Sequence, residues 1–166
     1  MFPRSHSHSE PPQASSATAA RVGNHMGDGV RIRPAEYSEA EVVLELWSTA
    51  RSAAVDVEDT RHDVKLLLSF DPGSLLVADV DAQVVASAVV TWDGWRGGIH
   101  RLVVLPAYRR RGIARQLVEA AHERLRCCGA KRANILIAEV DEGAGDLWRS
   151  AGYRTDPLVA RHFRDL

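Results

Sequence analysis

The stretch from Ile99 to Gly129 restricts the possible folds more than any other part of the chain. Residues 99–105, "IHRLVVL", have the composition of a strand, which ends at Pro106 because proline cannot donate to a sheet ladder. After an arginine-rich loop, Gly112 opens a segment with apolar residues at helical spacing, which ends at Gly129. Those residues are Ile113, Leu117, Ala121, Leu125 and Cys128. A strand leading directly into a long amphipathic helix predicts a sheet covered by helices.

The rest of the chain repeats this alternation. Further strands are predicted at residues 30–35, 74–80, 83–92 and 133–140, and residues 153–166 also have a strand-like pattern. Helices are predicted after a capping box of Ser38 and Glu41, after Thr60, and at residues 144–152. The sequence therefore predicts an α/β (α+β) fold, a mixed sheet of six or seven strands with helices on both faces.

The first 29 residues differ in composition from everything that follows. They are rich in Ser, Ala, Pro and Gly and contain almost no large apolar side chains, so burial cannot offset the cost of ordering them. We predict a disordered tail at residues 1–29 and one folded domain at residues 30–166. The three histidines of the tail lack partners at metal-ligand spacing, and no metal is predicted. The sequence leaves open whether translation starts at Met1 or Met26.

Composition argues against several classes of protein. No apolar run approaches the roughly 20 residues that span a bilayer, and the N-terminus lacks the apolar core of a secretory signal. The adjacent Cys127 and Cys128 point apart on a helix, which favours reduced thiols. These features predict a cytoplasmic protein without a membrane partner.

The run Arg109, Arg110 and Arg111 permits three interpretations: a basic patch for nucleic acid, a solvated helix end, or a phosphate-binding loop. The formal net charge of the chain is -1, and no further basic and aromatic cluster accompanies the run, so no nucleic-acid partner is predicted. For the side chains of Arg110 and Arg111 the solvated-loop alternative stays open. The backbone argument is stronger, because Gly112 precedes a helix whose first N–H groups are unpaired and can bind an anion.

The spacing around this loop excludes two familiar phosphate motifs, GxxxxGK[ST] and GxGxxG. It resembles instead the acyl-CoA motif R/Q-x-x-G-x-G/A, preceded by a strand that ends in L-x-V-x-P. The matching residues are Leu102, Val104, Pro106, Arg109, Gly112 and Ala114. The chain is thereby identified as a member of the GCN5-related N-acetyltransferase (GNAT) family. It is most similar to YpeA-type bacterial acetyltransferases, whose "DG-x-RG" turn resembles "DGWRG" at residues 93–97.

The resemblance implies acetyl-CoA as cosubstrate, bound in a splay between the predicted fourth and fifth strands, residues 99–105 and 133–140. The pyrophosphate would bind backbone amides of Arg110, Arg111, Gly112, Ile113 and Ala114, with charge added by Arg109. The backbone of Leu102, Val103 and Val104 would bind the pantetheine arm as an added strand does. One amide there would polarise the thioester carbonyl.

The family's last motif is altered in "DEGAGDLWRSAGY". Asp141 stands at the usual asparagine position, where the resemblance implies a cofactor contact, and Trp148 stands at the usual tyrosine position. The tyrosine commonly protonates the departing thiolate, whereas an indole N–H is not a usable acid. The loss is tolerable, since a thiol with a pKa near 8.5 is a fair leaving group.

The general base is the most open of the catalytic assignments. Relatives carry Glu or Asp two residues before the leucine of L-x-V, where this chain has His100. Histidine ordinarily titrates near neutral pH and suits the task, but a half-exposed strand histidine without a catalytic role is an equal alternative. His62 and Glu58, in the segment that shapes the acceptor pocket, are weaker candidates.

The predicted function is transfer of the acetyl group of acetyl-CoA to an amine, by direct attack in a ternary complex. The acceptor is a small molecule or a protein amine, and residues 51–63 would help to shape its pocket. The alternative is a non-catalytic acyl-CoA-binding or regulatory module, motivated by Trp148 and the uncertain base. Acyl-chain preference and oligomeric state, including a homodimer, are left open.

Overall fold

The computed structural model describes residues 25–27, 29–49, 58–137 and 142–158. Within them a six-stranded sheet has its strands in chain order, all neighbours antiparallel except the last pair. The strands are β1 (His25–Gly27), β2 (Val30–Pro34), β3 (Leu75–Val80), β4 (Gln83–Trp92), β5 (Gly97–Val104) and β6 (Ala133–Ile135). The helices are α1 (Ala40–Ser48), α2 (Arg61–Phe70), α3 (Ile113–Cys127) and α4 (Glu142–Ser150).

Helices cover both faces of the sheet, as predicted. Alternate residues of β3 show this, because Leu75 and Val77 pack in one cluster with α1 and α2, whereas Leu76 and Ala78 pack in another with α3. All four side chains are fully buried. The predicted mixed α/β architecture is confirmed. No helix among the described residues is both long enough and apolar enough to cross a membrane.

The sheet opens between β5 and β6. The two strands pair in parallel only where Gly97, Gly98 and Ile99 lie opposite Ala133, Asn134 and Ile135. β5 then continues to Val104, while β6 has already ended. The predicted splay lies at this point. The strand predicted at 133–140 ends earlier than expected, because residues 136 and 137 are not in a strand. Residues 138–140 lie outside the described residues.

Three further local predictions need correction, the first at the N-terminus. His25–Gly27 forms a short strand inside the segment predicted as a disordered tail, and it pairs with β2. Gly29, with φ +79°, lies in the connection to β2. Backbone pairing at a sheet edge needs no large apolar side chain, which is why composition did not predict it. Disorder of residues 1–24 stays a prediction, because they lie outside the described residues.

The start of α1 also differs from the expectation. The capping box is formed by Glu36 and Glu39, and not by Ser38 and Glu41. The Glu39 carboxylate accepts the Glu36 N–H at 2.7 Å and is held by two guanidinium hydrogen bonds from Arg33. That ion pair draws the cap toward β2, so a 3₁₀ turn precedes the helix. The helix after Thr60 is as predicted, and the structure shows that Thr60 caps it in a capping box with Asp63.

The third correction concerns the C-terminal strand-like segment. Residues 153–158 form no strand, and the backbone turns at Pro157 and Leu158. The Leu158 N–H donates to Asp156 Oδ1 at 3.1 Å, and Pro157 has no N–H for a ladder. Residues 159–166 lie outside the described residues.

Candidate active site

The loop after β5 has two residues with left-handed backbone conformation. A 3₁₀ turn at Pro106–Tyr108 is followed by Arg110, with φ +62°, and by Gly112, with φ +78°, which is the N-cap of α3. A Cβ built on Gly112 would meet no atom within 4 Å. Glycine is therefore favoured here by its dihedral angles and not by close packing.

The first turn of α3 lies along a cleft and has positive character. Its first N–H groups have no helical partner, because the first bond within the helix runs from the Gln116 N–H to the Gly112 carbonyl at 3.1 Å. Ile113, Ala114 and Arg115 line the cleft, and the first turn contains no acidic residue. Helix dipole and arginine charge thus add at one point, although the chain as a whole is nearly neutral.

The three arginines of the loop have different surroundings. Arg109 lines the cleft and donates its Nε–H to the Val104 carbonyl at 3.1 Å, which ties the loop to the end of β5. Arg110 also lines the cleft. The guanidinium of Arg111 lies over the Tyr108 ring, 5.1 Å from its centroid, and Arg111 is not among the cleft-lining residues.

β5 forms the opposite wall with an irregular stretch of backbone. In the β4–β5 register, Val89 lies opposite His100 and Ser87 opposite Val103, so one residue of β4 faces two residues of β5. Those two residues are Arg101, with φ +48°, and Leu102. Because β6 pairs with β5 only as far as Ile99, this bulge lies on an edge that β6 leaves open.

The far end of the cleft is lined by apolar groups. Leu136 and Ile137 follow β6 and are 61% and 41% exposed, which is high for large apolar side chains. Trp148 of α4 is 6% exposed and packs in the core, where its ring and that of Tyr153 form an edge-to-face pair with centroids 5.0 Å apart. The cleft has a volume of about 860 Å³, which suits a ligand of cofactor size.

The structure brings most of the sequence-predicted residues to this one cleft. Its lining includes His100, Leu102, Val103, Val104, Arg109, Arg110, Gly112, Ile113, Ala114 and Trp148. Arg111 is not among the lining residues, and Asp141 lies outside the described residues. Ten further lining residues were not predicted as site residues: Ile99, Arg101, Tyr108, Arg115, Leu136, Ile137, Ala144, Asp146, Leu147 and Ser150. Arg115 could have been found from its place in the first turn of α3, whereas Leu136 and Ile137 were assigned to a strand ladder.

His100 is exposed on β5, with Nε2 3.2 Å from Thr91 Oγ1 of β4. A Cβ on Gly98 would come within 2.5 Å of His100 Nε2, so the missing side chain makes room for the imidazole. The weaker candidates are not among the cleft-lining residues: His62 is exposed in the first turn of α2, and Glu58 is exposed just before that helix. No group of three potential metal ligands occurs among the described residues.

Tyr153 packs against Trp148 but is not among the residues that line the cleft. Its oxygen lies 3.0 Å from His122 Nε2, and both side chains line a separate cavity of about 730 Å³. Burial raises the pKa of Tyr153 and lowers the pKa of His122. This phenol therefore does not replace the acid that Trp148 cannot supply.

Comparison with known proteins places this chain in one family. The model of the acetyltransferase (GNAT) family matches residues 40–153. An acetyltransferase of Yersinia enterocolitica is 28% identical over 130 residues, which cover 78% of this chain and 92% of that protein. The chain belongs to the GNAT family of acetyltransferases, and its general activity is acetyl transfer.

Solved structures share the fold at lower identity. Ard1 from Thermoplasma volcanium is 19% identical with a TM-score of 0.67, covering 75% of this chain and 82% of that one. The structure of yncA from Salmonella typhimurium, solved with its cofactor acetyl-CoA, is 18% identical with a TM-score of 0.66 and covers 76% and 80%. The GNAT fold predicted from the sequence is confirmed.

Proposed function

We propose that the protein is an N-acetyltransferase that transfers the acetyl group of acetyl-CoA to an amine by direct attack in a ternary complex. The observation that supports this best is that the first turn of α3 and the bulged edge of β5 line the same cleft. A CoA thioester carries its phosphates and its acyl group at opposite ends of a long arm. It needs both an anion site and a polar backbone site at a distance, and this cleft offers both.

The N–H groups of Gly112, Ile113 and Ala114 would hold the pyrophosphate, with charge from Arg109 and Arg110. Arg115, which also lines the cleft, would add to that charge. Leu102, Val103 and Val104 would pair with the pantetheine arm along the edge that β6 leaves open. The chain's contribution is to align two substrates and to stabilise the developing oxyanion, neither of which requires a covalent intermediate.

In the proposed reaction the amine nitrogen attacks the thioester carbonyl carbon, and the C–S bond breaks as CoA thiolate departs. His100 would accept the proton that the nitrogen loses, directly or through water. Trp148 donates no proton, so the thiolate leaves unassisted. His62 and Glu58 remain alternatives for the base.

The acceptor is proposed only as an amine, of a small molecule or of a protein. Trp148 is buried at the usual tyrosine position and supplies no acid. It therefore favours the second candidate function, a module that binds acyl-CoA without catalysis. A cytoplasmic location and the lack of a nucleic-acid or membrane partner stay predictions.

One experiment separates the two candidates. Binding of acetyl-CoA is measured by calorimetry, and release of free thiol is followed against a panel of small amines, peptide N-termini and lysine peptides. Acceptor-dependent thiol release supports the enzyme, whereas tight binding with no release across the panel supports the module. Cys127 is an exposed free cysteine, so the signal of a reaction without acceptor is subtracted as the baseline.

A further inference from the structure

The bulge in β5 is an unusual place for an arginine. Where β4 has one residue, Ala88, β5 has two, Arg101 and Leu102. Arg101 has φ +48°, in the left-handed region that side chains other than glycine adopt at a cost. Such a conformation persists only where the surrounding structure holds it in place.

The side chain of Arg101 is held by two elements outside its own strand. Its guanidinium forms an ion pair with Asp59, which lies just before α2. It also lies over the ring of Trp47 in α1, 5.5 Å from the centroid. The Trp47 Nε1–H donates at 2.9 Å to the hydroxyl of Ser87, which is fully buried in β4 beside the bulge. Arg101 of β5 is thus held by contacts with α1 and with the segment before α2, and Trp47 connects it to β4.

We propose that Arg101 is a positioning residue for acetyl transfer. Its ion pair with Asp59 and its stacking on Trp47 hold the bulge so that an unmatched backbone N–H there is aimed at the thioester carbonyl. The inference rests on the proposed function and extends it to a side chain outside the cofactor motif. Because Asp59 belongs to the segment predicted to shape the acceptor pocket, one side chain joins the acceptor side of the protein to the carbonyl site.

A second ion pair in the same region provides a matched comparison. Arg61 of α2 pairs with Glu41 of α1, and both side chains are more than half exposed. Arg101 and Asp59 are only about a third exposed, with 30% and 32%. An exposed pair without stacking contributes little, so Glu41→Gln, which breaks this pair at a residue outside the predicted acceptor segment 51–63, is the control for loss of an ion pair near these helices.

The test compares Arg101→Gly, Asp59→Asn and the control. Glycine removes the arginine side chain but still allows the left-handed backbone, so it separates the side chain from the dihedral angle. Three quantities are measured: kcat with a working amine, Kd for acetyl-CoA, and the infrared stretch of bound acetyl-CoA labelled with ¹³C at its carbonyl. Arg101→Lys is a fourth variant, which keeps the charge and loses the planar stack.

We expect Arg101→Gly and Asp59→Asn to lower kcat by at least about tenfold, on the scale of weakened oxyanion stabilisation. Kd for acetyl-CoA stays within about twofold of wild type, because the phosphate end of the cleft is unchanged. The carbonyl stretch moves toward its value in free acetyl-CoA, a change that loss of packing alone does not cause. The kcat of Arg101→Lys lies between those of Arg101→Gly and wild type. The control matches wild type in all three measurements.

A carbonyl stretch and kcat unchanged from wild type in folded Arg101→Gly would overturn the inference and leave the proposed function standing. If Arg101→Gly fails to fold, Asp59→Asn decides in the same way, since it alters only one partner of the ion pair. Failure of the wild-type protein to bind acetyl-CoA would overturn the proposed function, and the inference with it.

Discussion

At the scale of single residues, left-handed backbone marks both walls of the cleft. Gly112 and Arg110 have positive φ in the loop before α3, and Arg101 has it in the bulge of β5. Only the first of these is a residue for which the conformation is easy. The contacts that hold Arg101 come from distant parts of the chain, which is why the sequence indicated Gly112 and not Arg101.

We expect Gly112→Glu to lower acetyl-CoA affinity by about 100-fold, equivalent to about 2.7 kcal/mol, because it sets a carboxylate where the phosphates bind. Gly129→Glu is the matched control. Gly129 has φ +84° beyond the other end of α3, and its Cβ would also meet no atom within 4 Å. Both variants have the same kind of backbone strain, so thermal denaturation should rank them alike while calorimetry separates them. Equal acetyl-CoA affinity in the two would contradict the assignment of the phosphate site.

His100→Ala tests the proposed general base. We expect kcat at neutral pH to fall by about 100-fold or more, the usual contribution of general base catalysis, with Kd for acetyl-CoA unchanged. Initial rates and calorimetry on the same preparation provide both values. His62→Ala is the comparison, since His62 is a weaker candidate on α2. Full turnover in His100→Ala would assign His100 to the alternative of a strand histidine without a catalytic role.

At the scale of elements, one ion-pair network joins β2, β3 and the turn before α1. Arg33 donates to Glu39 at 2.7 and 2.8 Å and to Asp79 at 2.7 and 3.2 Å, and all three side chains are less than one fifth exposed. The hydrogen bonds from Arg33 hold the pKa of Glu39 below its ordinary value, although burial acts against them. The hydrogen bond to Glu39, together with the one to Asp79, raises the pKa of Arg33 above its ordinary value.

This lowered pKa leads to a pH-dependent prediction. Since the pKa of Glu39 is lower in the folded than in the unfolded protein, its stabilising effect is present above the unfolded value and is lost as the pH falls through the folded value. We expect Glu39→Gln to lower the free energy of unfolding at pH 7 by about 1–3 kcal/mol, with the difference shrinking in acid. Glu41→Gln, in the exposed pair with Arg61, should cost less than about 1 kcal/mol. Urea denaturation at several pH values measures both variants. A difference in the free energy of unfolding between Glu39→Gln and wild type that does not change with pH would contradict the prediction.

At the scale of the whole molecule, charge is placed locally. The net charge of the chain is -1, yet Arg109, Arg110 and Arg115 line one end of the cleft. Attraction of a polyanionic ligand therefore depends on that end and not on the overall charge.

We expect Kd for acetyl-CoA to rise severalfold between about 0.05 and 0.5 M KCl. Added salt shortens the distance over which exposed charges attract each other, which is about 10 Å at 0.1 M. Binding of acetyl-pantetheine, which lacks the phosphates, should be weak and nearly independent of salt. Titrations at four salt concentrations measure both ligands. An acetyl-CoA affinity that does not respond to salt would argue against phosphate recognition by these arginines.

Contiguous residues determine the parts of this protein that could be predicted from sequence. The strand ending at Pro106, the glycine at the helix start and the apolar spacing of α3 are all encoded locally, because each depends on dihedral preferences and periodicity within a few residues. The family motif lies in the same stretch. The sequence was therefore sufficient for the fold class and for half of the cleft lining.

Tertiary structure alone decided the features that join distant segments. The shift of the α1 cap to Glu36 and Glu39 depends on Arg33, and the early end of β6 exposes Leu136 and Ile137. The contacts around Arg101 join α1, the segment before α2, and two strands. Periodicity determines which face a residue occupies, but strand register and side-chain partners depend on packing between elements far apart in the chain, which no local pattern records.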